Sequence, residues 1–292
     1  MKVGIIGGSG LYQLEDLQNI RECVLDTPFG KPSDAYVQGT LGGIDVIFLP
    51  RHGRGHRLLP SEINHRANIW GFKKLGVEGV VSVSAVGSLR EGIRPRDIVL
   101  PDQYFDRTKG SSQHTFFGNG IVGHVSFGDP TCKPLREVVL KAAREAVKVL
   151  NLGDVVRIHA GGTYVNMEGP AFSTRAESNS YRRAGFDIIG MTSLPEAKLC
   201  REAELCYQSM AMATDYDCWH TGEAEVSVDM IIETLTANTK LAKEIIRRLL
   251  PGLTGDRDCA CQHALKYAIM TDRRLVPPAT MEALSPMLAK YQ

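Results

Sequence analysis

Short β-branched runs, each ending in small or polar residues, recur along the chain and limit what it can fold into more than any other feature. Val3 to Ile6 ends at Gly7-Gly8-Ser9-Gly10, Ile44 to Leu49 at Pro50-Arg51-His52, and Val80 to Val83 at Ser84-Ala85-Val86-Gly87-Ser88. Ile98 to Leu100 ends at Pro101-Asp102, Ile188-Ile189 at Gly190-Met191-Thr192, and Met210 to Ala213 at Thr214-Asp215-Tyr216-Asp217. Runs without a polar side suit strands covered on both faces of a sheet. Helical periodicity lies between them. Ser61 to Leu75 follows Pro60 and stops before Gly76, and Pro134 to Leu150 carries Leu135, Val138, Val139, Ala142, Ala146 and Leu150 on one face. Val228, Ile231, Ile232, Leu235, Leu241, Ile245, Ile246 and Leu249 mark a long amphipathic helix. Strands alternating with helices predict an α/β layered domain, with its chemistry at the polar strand ends.

The 292 residues contain no Pro/Gly/Ser-rich linker before residue 250. The expected organisation is one domain over 1–250 and a short extension over 251–292, packed on the domain or on a neighbouring subunit. Lys and Arg number 34 against 33 Asp and Glu. That balance argues against a polybasic surface for nucleic acid. No apolar run approaches the ~20 residues that span a bilayer. A basic leader with a cleavage site is not seen either, so the cytoplasm is the expected location and a membrane is not an expected partner.

Four constellations carry polar chemistry. Gly7-Gly8-Ser9-Gly10 follows a buried strand, and such a turn can point several N–H groups at an anion. A plain tight turn fits it equally. The dinucleotide pattern fails because Gln13 stands where a third glycine belongs, and a Gly-Lys-Ser/Thr phosphate loop is absent. Arg51-His52-Gly53-Arg54-Gly55-His56-Arg57 is too basic for a core and suits a small anion, since a guanidinium grips phosphate with paired donors. A solvated basic loop is the alternative. Asn166-Met167-Glu168-Gly169-Pro170 with Phe172 to Glu177 suits a sugar-and-base pocket, or an ion pair supporting a helix start. Asp215 and Asp217, spaced by two, point to one side of an extended chain. Each raises the other's pKa, so one can act as a general acid on a leaving group; a helix cap or metal pair is the other reading.

In order and spacing, GIIGGSGLY, FLPRHGRGH, VSAVGSL, EGPAFSTRAES, GMT and MATDYDCW resemble the 5′-methylthioadenosine phosphorylase family, within the trimeric purine nucleoside phosphorylase class. The resemblance runs from about Val3 to about Leu250. It implies a nucleoside phosphorylase-like fold: a central mixed, largely parallel sheet flanked by helices. It also implies a reversible phosphorolysis, in which phosphate attacks the anomeric carbon of methylthioadenosine, adenine leaves and 5-methylthioribose 1-phosphate forms. No metal and no organic cofactor is implied; inorganic phosphate is a co-substrate.

The family's phosphate contacts fall on Ser9, Arg51, His52, Ser84, Ala85 and Thr192. Ser9 and Ser84 stand where the family often has Thr, and both keep the hydroxyl. Met191 lies against the ribose, and Phe172 and Val228 line the base and alkylthio walls. His124 reaches the 5′ group of a neighbouring subunit's substrate, which implies a homo-oligomer, a trimer or a hexamer built as a dimer of trimers. Members acting on 6-oxopurines carry Asn at the position of Asp215. An Asp there suits adenine, with Asp215 protonating or hydrogen-bonding N7 and Asp217 accepting from the 6-amino group. A 6-oxopurine phosphorylase, a Rossmann-type nucleotide binder and a hydrolytic nucleosidase are the competing readings.

Seven cysteines are scattered along the chain. Cys259-Ala260-Cys261, with His263 two further on, begins a zinc set without an evident fourth ligand. A redox pair is the preferred reading. Some thermophilic members of the family carry a C-x-C and internal disulfides near the C-terminus, and by that resemblance Cys132 with Cys206 is the candidate structural bridge.

Overall fold

A computed structural model describes residues 1–8, 11, 14–110, 113–220, 228–253 and 258–291, without the side chains of 228–233, 235 and 236. At its centre β1 (Val3–Gly7) runs parallel to β4 (Ile44–Pro50) on one side and to β5 (Gly79–Ser88) on the other. β3 (Tyr36–Leu41) and then β2 (Gln18–Cys23) extend the β4 side as antiparallel strands. The edge strand β2 is polar and exposed, which blunts further pairing.

Opposite β1, β11 (Cys206–Asp215) runs parallel to β5 along almost its whole length, and β10 (Ile188–Gly190) pairs antiparallel with the last residues of β5 on the β1 side, beyond the end of β1. β10 leads to the parallel strands β9 (Thr163–Met167) and β7 (Gln103–Arg107), while β11 leads to β6 (Ile98–Leu100) and β8 (Ile158–Ala160). The described strands thus form one mixed, largely parallel, eleven-stranded sheet.

Successive residues of the central strands serve opposite faces. Val3, Ile5, Val46 and Phe48 pack with α2 (Lys133–Val149) and α5 (Val228–Leu249), whereas Ile6, Ile47 and Leu49 pack with α1 (His65–Lys74) and α4 (Ser193–Glu202). Helices on both faces explain why β1, β6 and β11 are buried at every residue. The helix expected from Ser61 splits into a 3₁₀ turn at Pro60–Glu62 and α1, because the Asn64 side chain caps a new start by accepting from the Ala67 N–H.

Beyond Cys259 and Cys261, which pack on the α2 side of the sheet, residues 265–291 run over the α1/α4 face as short helical turns. Leu265, Ala268, Val276, Leu284, Met287 and Leu288 are buried in the same apolar cluster as Ile69 and Phe72. Trp70 Nε1 donates to the Ala283 carbonyl at 2.8 Å, and the His124 N–H donates to that of Ala268 at 2.9 Å. Among the described residues, no helix is long and apolar enough to cross a membrane.

Candidate active site

The polar strand ends of β4, β5, β9, β10 and β11 surround one cavity of about 350 Å³, a volume ordinary for a small-molecule site. Arg51, His52, Ser84, Ala85, Met191, Thr192, Phe172, Asp215 and Asp217 all line it. The sheet thus brings together residues as far apart in sequence as Arg51 and Asp217.

At one end stand the two acids. The ladder between β11 and β5 slips between Ala213 and Asp215, and the resulting bulge re-aims Asp215, which pairs with Gly87. Asp217 lies beyond the strand, at the start of a 3₁₀ turn over Asp217–Trp219, with φ of 52°. The expected extended, same-sided pair is thus replaced by a bulge and a turn that bring both carboxyls to one cavity. The Asp215 Oδ2 accepts from the Thr214 hydroxyl at 2.6 Å and its Oδ1 from the Asp217 N–H at 2.7 Å. Burial, then the charge of Asp215, pushes the Asp217 carboxyl above the ordinary aspartate range, and Asp217 Oδ2 is buried without a hydrogen-bond partner. Trp219 fixes the turn by donating from Nε1 to the Ser88 carbonyl at 2.7 Å, with the Arg182 guanidinium 3.4 Å above its ring.

At the other end the basic loop resolves into separate roles. Arg51 Nε donates to Glu196 Oε1 at 2.6 Å, Nη1 to the Val83 carbonyl at 2.9 Å and Nη2 to the Ser82 hydroxyl at 2.6 Å. The free two-pronged guanidinium expected from the sequence is corrected: most of its donors are committed to the protein, which fixes where the remainder points. Burial keeps His52 neutral, its pKa lowered to about 4, and its Nδ1 donates to the Leu58 carbonyl at 2.8 Å. A neutral imidazole that donates through Nδ1 presents Nε2 as an acceptor. His56 stacks on His52 at 4.2 Å and also lines the cavity. Arg54 reaches Glu22 at 2.7 Å, and Arg57 donates to the Ser33 carbonyl.

Thr192 is the N-cap residue of α4, yet its side chain makes no capping bond. Thr192 lines the cavity, so its uncommitted capping position lies at the cavity wall. Asn166, fully buried, holds this turn by accepting from the Leu194 N–H at 3.0 Å and donating to the Met191 carbonyl at 3.3 Å. On the opposite side Gly169, with φ of 70°, lies so close that a Cβ would sit 2.5 Å from the Met191 sulfur.

Not every expected residue reaches the cavity. Ser9 and the Val228 side chain lie outside the described residues. His124 is exposed and does not line this chain's own cavity. Glu177 reciprocates with Thr174 in a capping box at the start of α3 (Arg175–Arg183), so it supports the helix start through a capping box rather than the expected ion pair, and it does not line the cavity. Glu168 accepts from the Lys109 N–H instead of lining the cavity. Sequence reasoning missed Glu196, whose partner is 145 residues away, and Thr214, which sits beside an acid that drew the attention.

Residues 2–251 match the family model described as the phosphorylase superfamily. An S-methyl-5′-thioadenosine phosphorylase of Geobacter sulfurreducens is 54% identical over 99% of this chain and 98% of its own length. The crystal structure of a methylthioadenosine phosphorylase from an Antarctic soil metagenomic library superposes with a TM-score of 0.91 at 46% identity, covering 98% of both chains. A variant of the adenosine/methylthioadenosine phosphorylase of Schistosoma mansoni, in complex with methylthioadenosine, superposes at 0.78 with 37% identity, covering 88% of this chain and 93% of that one. The fold, the site at the strand ends and these likenesses agree: the chain belongs to the phosphorylase superfamily, in its S-methyl-5′-thioadenosine phosphorylase branch.

Proposed function

We propose that the cavity performs reversible phosphorolysis of 5′-methylthioadenosine, giving adenine and 5-methylthioribose 1-phosphate, and so serves purine and methionine salvage. One observation supports this reading: the cationic Arg51, with Ser84, Ala85 and Thr192, lines the same cavity as the acids Asp215 and Asp217.

Glycosidic cleavage develops positive charge on the sugar. Phosphate bound by the Arg51 end lies under the anomeric carbon and stabilises that charge before it bonds. The Thr192 and Ser84 hydroxyls and the Ala85 N–H hold its oxygens, with Ser9 completing the set. Neutral His52 suits the protonated oxygen of a phosphate, which needs an acceptor and not a second cation. Asp215 takes hold of N7 as adenine departs, and Asp217 accepts from its 6-amino group. Each contact made mainly in the transition state contributes about 2–4 kcal/mol. Holding both reactants in one cavity adds an effective-molarity advantage. Met191 backs the ribose, and Phe172 (52% exposed) closes the rim. No step in this scheme draws on a metal or organic cofactor.

The exposed His124, displaced from its own cavity, is read as the residue lent to a neighbouring subunit, in a trimer or a dimer of trimers. Residues 1–250 form the catalytic body in this reading, and 251–292 an extension packed against it. None of the seven cysteines is in a disulfide, which suits a reducing cytoplasm.

The test is adenine release from methylthioadenosine with and without inorganic phosphate. Strict phosphate dependence is expected. Equal release without phosphate would make the protein a nucleosidase, and faster turnover of inosine would make it a 6-oxopurine phosphorylase.

A further inference from the structure

Far from the cavity, four cysteines converge. Cys132 precedes the first turn of α2, Cys206 opens β11, and Cys259 and Cys261 come from the C-terminal segment. All four sulfurs lie within 4.8 Å of one another, Cys206 and Cys259 at 3.4 Å, and no disulfide joins any two of them. Cys132, Cys206 and Cys261 are buried and Cys259 is half-buried.

Four thiolates around one zinc ion, at Zn–S distances of about 2.3 Å, sit about 3.8 Å from each other in a tetrahedron. Two disulfides would need two separate pairs; here every sulfur is near all three others, which is the arrangement of ligands about one centre. Both sulfurs of the C-x-C turn face that centre, so Cys132 and Cys206 supply the third and fourth ligands that the sequence does not reveal. We propose that Cys132, Cys206, Cys259 and Cys261 bind one zinc ion as a closed tetrathiolate site.

The surroundings fit an anionic cluster. The amino end of the 17-residue helix α2 meets it at Cys132, and the positive charge of Arg201 acts on Cys261. Binding replaces the four thiol protons with one divalent ion and moves no electrons. With four protein ligands no coordination position is open to water, so the site is structural. Its place agrees: Cys206 and Asp215 are opposite ends of β11, about 30 Å apart at ~3.3 Å per residue. The ion would staple the C-terminal segment to the starts of α2 and β11.

Metal analysis of the protein purified without chelators, together with zinc titration of the fully reduced chain, tests this. One zinc per chain is expected, released when a mercurial blocks the thiols and captured by a colorimetric chelator. Cobalt in its place should give an intense thiolate-to-metal charge-transfer band. The Cys259→Ser/Cys261→Ser variant should lose the ion and the band. Should that variant fail to fold, chelator-induced lowering of Tm in the wild type, reversed by zinc alone, supports the site. Two disulfides among these four cysteines in the protein as isolated, or a reduced chain that retains no zinc or cobalt, would overturn it.

Discussion

Arg51 and Glu196 meet at 2.6 Å inside the cavity wall, with 3% and 0% of their side chains exposed. Burial works against both charges, but each offsets that cost for the other: Glu196 is held below the ordinary glutamate range by Arg51. The pair joins β4 to α4, and so ties the arginine to the helix whose amino end carries Thr192.

Removing one partner leaves the other as an unpaired buried charge. Glu196→Gln is expected to lower unfolding free energy by about 3–5 kcal/mol and to raise the KM for phosphate more than the KM for nucleoside, because Arg51 loses its anchor. Urea denaturation and initial rates at varied phosphate check both parts. An unchanged phosphate KM would mean that the pair is scaffolding only.

In the proposed reaction the two acids divide a task that substitution can separate. Asp215→Ala is expected to lower turnover of methylthioadenosine by about 10²–10⁴-fold, the usual scale for losing a general acid. Asp217→Asn should act differently. Its carboxyl is raised by burial and by Asp215, so ionisation of Asp217 should give kcat/KM a limb that falls toward acid pH at a value above an ordinary aspartate. The Asn variant should flatten that limb. Profiles of kcat/KM against pH for both enzymes decide it.

Much of this arrangement was legible in the chain. β6 has the bounds its apolar run predicts, and β1, β4 and α2 differ from theirs by a residue at one end or both. α4 escaped because it is buried on most sides, from Ser193 and Glu196 through Cys200 to Glu202, and so shows no single apolar stripe. α3 escaped for the opposite reason: only Ser178 and Tyr181 are buried in it. The polar edge strand β2 offers no alternation to read. Within the site the motifs named the residues, but not their state. That Arg51 is ion-paired and His52 neutral depends on Glu196 and on burial, and neither is a property of the local sequence.

Gly87 makes room for the acids. A Cβ built there would come within 3.0 Å of Asp215 Oδ1 and 3.3 Å of Asp217 Cβ. Gly87→Ala should therefore displace the base-binding end while leaving the phosphate end intact. The expected outcome is a marked rise in the KM for methylthioadenosine, little change in the KM for phosphate and a native-like melting transition. Equal weakening of both substrates would place the damage in the sheet rather than in the pocket.

Glu202, at the far end of α4, gives the fold a pH dependence with a definite sign. Its carboxyl accepts from the Phe116 N–H at 2.6 Å and from the Thr115 hydroxyl at 2.8 Å, and burial pushes its pKa up to about 7. Between the ordinary 4.5 and about 7 the folded chain holds a proton that the unfolded chain releases. The stability linked to that proton is complete below 4.5 and is lost as pH rises through 7, about 3 kcal/mol at 1.36 kcal/mol per unit. His52 and His65 oppose it. Burial lowers them to about 4 and about 3, so their contribution is present above 6.5 and is lost as pH falls. The wild-type profile sums these opposing effects, and the difference between wild type and Glu202→Gln isolates one of them. That difference should change steadily between pH 4.5 and 7, with the variant gaining on the wild type as pH rises. Urea midpoints measured across this range would refute the assignment if the two proteins stayed parallel.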